Sequence, residues 1–174
     1  MKTPEQIAEA QKQINTSKEA LKKLPILGPA MWLYARDDRK KYTFIAEQDW
    51  LLTPPIILDQ CKLYTRDEIP WAFCTWAYVS DEIDARLRTT TPKIAPHEWK
   101  SGTHAWLMDV VAPFGDRDGI IEDIRRTAFN AVAISALLGQ PDGRVVVKNY
   151  PAADSSLATT KAAGTTNKTT KSKK

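Results

Sequence analysis

Cysteine, histidine and glycine are scarce: 174 residues hold two Cys, two His and seven Gly. Cys61 and Cys74 show neither CxxC nor Cys/His ligand spacing, so a structural zinc site is not expected, and inside strand-like runs they read as small buried hydrophobes. No GxSxG elbow is present to present a nucleophilic serine. No run approaches the roughly 18 apolar residues that a membrane span needs. The stretch from Met1 to Lys23 is polar, without the apolar core of a secretory signal, so the expected location is the cytoplasm. Excess charge is missing too. The net charge of +4 comes from the end of the chain, where residues 152–174 carry five Lys and one Asp, leaving 20 basic and 20 acidic residues before it. The basic balance therefore gives no argument for nucleic-acid binding.

What is present is a mixed pattern of helices and strands. Thr3-Pro4-Glu5-Gln6 has the form of a capped helix start, followed by a thin stripe of Ile7, Ala10, Ile14, Leu21 and Leu24. Pro25 and Gly28-Pro29 are expected to end that helix, and a second one carries Met31 to Tyr34. Pro54-Pro55 reads as a break before a strand over 56–64. Pro70 to Val79 alternates with apolar residues on both faces, which suits a central strand covered on two sides. A short helix over 81–87, a Thr/Pro-rich loop and a strand around Asp109 follow. One long helix is expected from Asp116, with Ile120, Ile121, Ile124, Ala128, Ala131, Val132 and Leu138 on its buried face, then a strand over 144–150. Residues 152–174 have little to bury and are expected to be disordered.

The run Trp106-Leu107-Met108-Asp109-Val110-Val111-Ala112-Pro113-Phe114-Gly115-Asp116 sets one carboxylate in an apolar strand and closes it with a Pro/Gly turn. Strict alternation puts Asp109 on one face with Leu107 and Val111, opposite Trp106, Met108 and Val110. Such an acid either finds an arginine or backbone N–H groups, lies on a solvated face, or orients another reacting group.

With Ile26-Leu27-Gly28, Trp32-Leu33, Leu63-Tyr64-Thr65-Arg66-Asp67, Pro70 to Ala77 and Trp99-x-Ser101-Gly102, this run resembles the RTX toxin-activating lysine acyltransferases. The resemblance implies an α+β, GNAT-like acyltransferase fold: a mixed, mostly antiparallel sheet flanked by helices, without a Gly-rich coenzyme A loop. It implies transfer of a fatty acyl group from acyl carrier protein, carrying acyl-phosphopantetheine, to internal lysines of an RTX protoxin, with no permanently bound cofactor. It also suggests a homodimer. The expected division is a helical extension over 1–24, an acyltransferase domain over 25–151 and a tail over 152–174.

The resemblance implies that Asp109 is catalytic. The family's second catalytic position, a histidine followed by a basic residue, falls on Lys40. Imidazole passes protons near neutrality, whereas lysine stays an ammonium to about pH 10, so the role must differ from histidine's: binding the phosphopantetheine phosphate or stabilising charge on the thioester oxygen. The bland reading of Arg36-Asp37-Asp38-Arg39-Lys40-Lys41 is a solvated helix end. Within it, Arg36, Arg39 and Lys41 offer a basic surface to an acidic carrier protein. His104, five residues before Asp109, points to the opposite face of a straight strand and reaches the site only through a bulge or turn; His97 is a weaker candidate. Cys74, among Trp71, Phe73 and Trp76, reads as an inert thiol. The competing reading is a binding module that kept the fold and lost the chemistry.

Overall fold

The computed structural model describes residues 3–89, 93–129, 132–139 and 145–152. The expected Ala131, Arg144 and most of the 152–174 tail lie outside the described residues.

The first helix, α1 (Pro4–Lys23), is capped as its sequence proposes: Thr3 Oγ1 accepts from the Gln6 N–H at 3.3 Å, and Gln6 Oε1 accepts from the Thr3 N–H at 3.0 Å. Ile14 and Leu21 of its thin stripe are exposed. As expected, α1 ends just before Pro25, at Lys23, but Gly28-Pro29 makes no break and lies inside the next helix. Proline suits the first turn of a helix, and the backbone passes through one 3-10 turn (Leu24–Ile26) directly into α2 (Leu27–Tyr34). The same physics corrects the expected break at Pro54-Pro55: both open α4 (Thr53–Ile57), just after α3 (Gln48–Leu51).

Among the described residues five strands follow in spatial order β1 (Cys61–Arg66), β2 (Ile69–Val79), β3 (His104–Val111), β4 (Ile134–Gly139) and β5 (Val145–Tyr150). All neighbours are antiparallel except β3 and β4, which are parallel and joined through α6 (Arg117–Thr127). This is the mixed, mostly antiparallel sheet between helices expected of a GNAT-like fold. Ile120, Ile121 and Ile124 of α6 pack on Ala72, Cys74, Leu107 and Val110 on one face. On the other, Ala30, Leu33 and Tyr34 of α2 meet Phe73 and Val111, while Ile83 and Leu87 of α5 (Asp81–Thr89) meet Ala77, Val79 and Trp106. The central strand is covered on both sides, as its two apolar faces require.

The long helix expected through Leu138 is two elements. The helix stops at Thr127, Phe129 turns inward against Trp76, and Val132 is exposed. Ile134 to Leu138 is a short apolar run whose periodicity suits a buried strand as well as a helix, and here it adds β4 to the sheet.

Candidate active site

Asp109 owes its position to an extra residue. The β2–β3 register steps from Thr75 opposite Asp109 to Trp76 opposite Leu107, which leaves Met108 unpaired as a bulge. Strict alternation therefore fails here. Leu107 packs toward α6, whereas Asp109, cross-strand from Thr75, lies on the face that carries Phe73, Val111 and α2. The bulge also breaks the parity that set His104 opposite. It does not bring His104 to the site: that side chain pairs with Asp81 at 2.6 Å at the other end of the strand and is 43% exposed. His97 lies in a one-turn 3-10 helix (Pro96–Glu98) and lines none of the cavities around Asp109.

Each oxygen of Asp109 is held. Oδ1 accepts from the Val110 N–H at 2.9 Å, and Oδ2 accepts from the Tyr34 hydroxyl at 2.8 Å. Lys40 Nζ lies 2.7 Å from the same Oδ2, with the Asp109 side chain 6% exposed and the Lys40 side chain 31%. Sequence reasoning named Asp109 and Lys40 but missed Tyr34, which looked like one more member of an apolar stripe. The available signal was its phenol, which needs a partner wherever the ring is buried. Burial, then the charge of Asp109 and its hydrogen bond, push the Tyr34 hydroxyl well above its ordinary range, so it serves as a donor and not as a base.

The turn after α2 aims Lys40. Asp37 is buried; its Oδ1 accepts from the Arg39 N–H at 3.0 Å and Nε at 3.1 Å, and its Oδ2 from Arg39 Nη2 at 2.8 Å. Its carbonyl accepts from the N–H groups of Lys40 and Lys41, each at 2.9 Å. Burial raises the Asp37 carboxyl, but the hydrogen bonds and charge of Arg39, with the charge of Lys40, outweigh it and hold the group below the usual range. The run 36–41 is thus a turn after α2 that leaves Arg36, Asp38, Arg39 and Lys41 exposed, as the solvated reading has it, while Asp37 is buried and Lys40 reaches Asp109.

Two cavities meet at the ion pair. One, about 250 Å³, opens between β3 and β4 and is lined by Arg39, Lys40, Asp109, Val110, Arg117 and Leu138 among others. It exists because the parallel pairing is limited to Trp106–Ser135 and Leu107–Ala136, and the strands part beyond it. The second, about 230 Å³, shares Arg39, Lys40, Met108 and Asp109 and continues between Trp50, Leu51, Ile94 and Trp99. Arg117 is the other residue that sequence reasoning missed; its Nε is buried and finds no partner among the described groups.

Of the expected carrier surface, only Arg39 lines both cavities. Arg36 stacks 3.6 Å above Trp32, beside Phe114 of the turn after β3, and Lys41 pairs with Asp38 at 2.9 Å. Burial raises the Cys74 thiol strongly, which agrees with an inert residue. Among the described residues no cluster of three or more His, Cys, Asp or Glu is arranged to hold a metal, and no helix is long and apolar enough to cross a membrane.

A sequence model of the RTX toxin acyltransferase family matches residues 19–150. The RTX-III toxin-activating lysine-acyltransferase ApxIIC of Actinobacillus pleuropneumoniae is 31% identical over 122 residues, 69% of this chain and 70% of that protein. The protein-lysine myristoyltransferase HlyC of Escherichia coli is 31% identical over 60% of this chain and 62% of its own length. The lysine-acyltransferase RtxC of Vibrio cholerae is 32% identical over 60% and 69%. The chain thus spans about two thirds of the length of these relatives.

Proposed function

The chain belongs to the RTX toxin acyltransferase family, and we propose that it transfers a fatty acyl group from acyl carrier protein to internal lysine side chains of an RTX protoxin. The observation that carries this reading is the Lys40–Asp109 pair at 2.7 Å, set where two cavities meet. A site with one entrance could hold a donor; a site open on two sides can hold donor and acceptor at once.

In this reading the thioester arm enters between the parted ends of β3 and β4, where Arg117 and Arg39 offer donors to its oxygens. Asp109 orients the acceptor amine and receives its proton. The amine nitrogen attacks the thioester carbonyl, the C–S bond breaks and the carrier thiol leaves. Lys40 has three N–H donors, of which one engages Asp109; another is free to meet the developing thioester oxyanion. This is an electrostatic task, distinct from the proton shuttling of an imidazole. No covalent enzyme intermediate is required, because a thioester is already activated and positioning supplies several kcal/mol of the barrier, on the order of 7–11 at its upper range. Arg36, Arg39 and Lys41 contribute the surface for an acidic carrier protein. We assign these roles to residues 25–151, with 1–24 as an accessory extension whose exposed Ile14 and Leu21 are compatible with a homodimer, and the cytoplasm as the site of action.

The test is acylation of RTX acceptor fragments by acylated carrier protein, read as acyl-lysine by peptide mass spectrometry. Wild type should acylate and Asp109→Ala should not. A wild-type protein that binds carrier protein yet acylates nothing would replace this reading with the binding module.

A further inference from the structure

We infer that Lys40 is itself an acyl acceptor: without protoxin, the enzyme acylates its own Lys40 as a dead-end side reaction. The inference rests on the acyltransfer reading above and extends it to a site on the enzyme.

The geometry is that of a bound acceptor. An acyltransferase that modifies lysines must bring an ammonium to its catalytic carboxylate, beside the donor's carbonyl. Lys40 already occupies that place, with Nζ 2.7 Å from Asp109 Oδ2. It borders both cavities, so a thioester entering from either side meets this nitrogen. The four-carbon stem is mobile enough to adjust its approach. A nitrogen that hydrogen-bonds the thioester oxygen lies near the carbonyl plane, so to attack it must lose a proton and swing over the carbonyl face to about 3–3.5 Å from the carbon, a short move that the flexible stem allows.

The step balances without any further reactant. The Lys40 ammonium passes one proton to Asp109, and its lone pair attacks the thioester carbonyl carbon. The C–S bond breaks, and an amide forms. The thiolate leaves with one of the two protons released, and the other goes to solvent. An amide is no longer an activated acyl donor, so the product is not an intermediate. It also removes the cation that pairs with Asp109 and places an acyl chain against Trp50, Leu51 and Met108, which closes the site to a protoxin lysine.

The experiment uses the full chain with myristoyl–acyl carrier protein, with and without an RTX acceptor fragment, followed by intact mass and peptide mapping. The expected result without acceptor is one hydroxylamine-resistant myristoyl group at Lys40. Its formation should be at least about tenfold faster than at exposed Lys100 and Lys148, and slowed to their rate in Asp109→Asn. Lys40→Arg should lose that modification while Lys100 and Lys148 are modified at their wild-type rates, and added acceptor should suppress the modification of Lys40 in the wild type. Acceptor acylated when it is present while Lys40 stays unmodified in the acceptor-free arm, or Lys40 modified there no faster than Lys100 and Lys148, would overturn the inference and leave the acyltransferase reading intact. Lys40 acylated while the acceptor stays bare would support the inference and refute the proposed acceptor. Neither acylated would end both.

Discussion

The Tyr34 hydroxyl donates to Asp109 Oδ2 at 2.8 Å across a buried contact between α2 and β3. With the Val110 N–H on Oδ1, it fixes the carboxylate in two directions, so the direction in which Asp109 receives a proton is set before substrate arrives. Tyr34→Phe keeps the ring and its packing but removes this donor. The expected outcome is a fall in kcat of about tenfold, with the donor's KM little changed, because a charge-assisted hydrogen bond contributes about 1.5–3 kcal/mol and Lys40 continues to hold the same oxygen. Steady-state kinetics test this, with a thermal melt to show that the fold survives.

Lys40→His puts an imidazole where the family resemblance places one. An imidazole in that place can take up the acceptor's proton, which an oxyanion-donating ammonium cannot, so the replacement changes the form of the pH profile as well as its height. The variant's kcat/KM should acquire an ascending limb between about pH 6 and 7, as the neutral imidazole forms, and wild type should lack that limb. An unaltered profile in the variant would mean that this position does not take part in proton transfer or charge stabilisation.

The turn that aims Lys40 should be sensitive to acid. Asp37 has a folded-state pKa below its unfolded value, so the unfolded chain binds the proton more readily. Its stabilisation is therefore fully present above the unfolded pKa, near 4, and is lost as pH falls through the lower folded-state value. Asp37→Asn should cost about 1–2 kcal/mol at pH 7, a figure that allows for the half-exposed Arg39 guanidinium. The difference between wild type and variant should narrow below about pH 4. Urea melts at pH 7 and pH 3 measure both.

Much of this architecture was legible in the residues. The Thr3–Gln6 capping box and the two-sided apolar pattern of β2 are local signals with local causes, and both elements stand where they were read. The APFGD turn and the neighbourhood of Lys40 came from the family resemblance. What escaped depends on partners distant in sequence. Met108 gives no sign of being a bulge until β2 is beside it, and the bulge decides which face Asp109 takes. Ile134 to Leu138 is helical or extended according to whether β3 offers a free edge. Tyr34 meets Asp109 only because α2 lies on that face of the sheet, 75 positions away in the chain.

Arg117 is the last residue whose surroundings predict behaviour. It opens α6 directly after the Phe114-Gly115-Asp116 turn and lines the cavity between β3 and β4 with Arg39 and Lys40. Its Nε is buried with no partner among the described residues, and a buried guanidinium N–H without an acceptor costs about 1–3 kcal/mol. A ligand oxygen that meets it recovers that cost, so the group is poised for a ligand that brings acceptors. The arm of acylated carrier protein brings several, in its amide carbonyls and phosphate. Arg117→Ala should therefore raise the KM for acyl carrier protein by about tenfold or more, with kcat largely kept, since this contact is the same in ground and transition states. With an S-acyl-N-acetylcysteamine thioester, which lacks most of the arm, wild type and variant should converge. Equal losses on both donors would place Arg117 at the reacting carbonyl, and no loss on either would remove it from donor recognition.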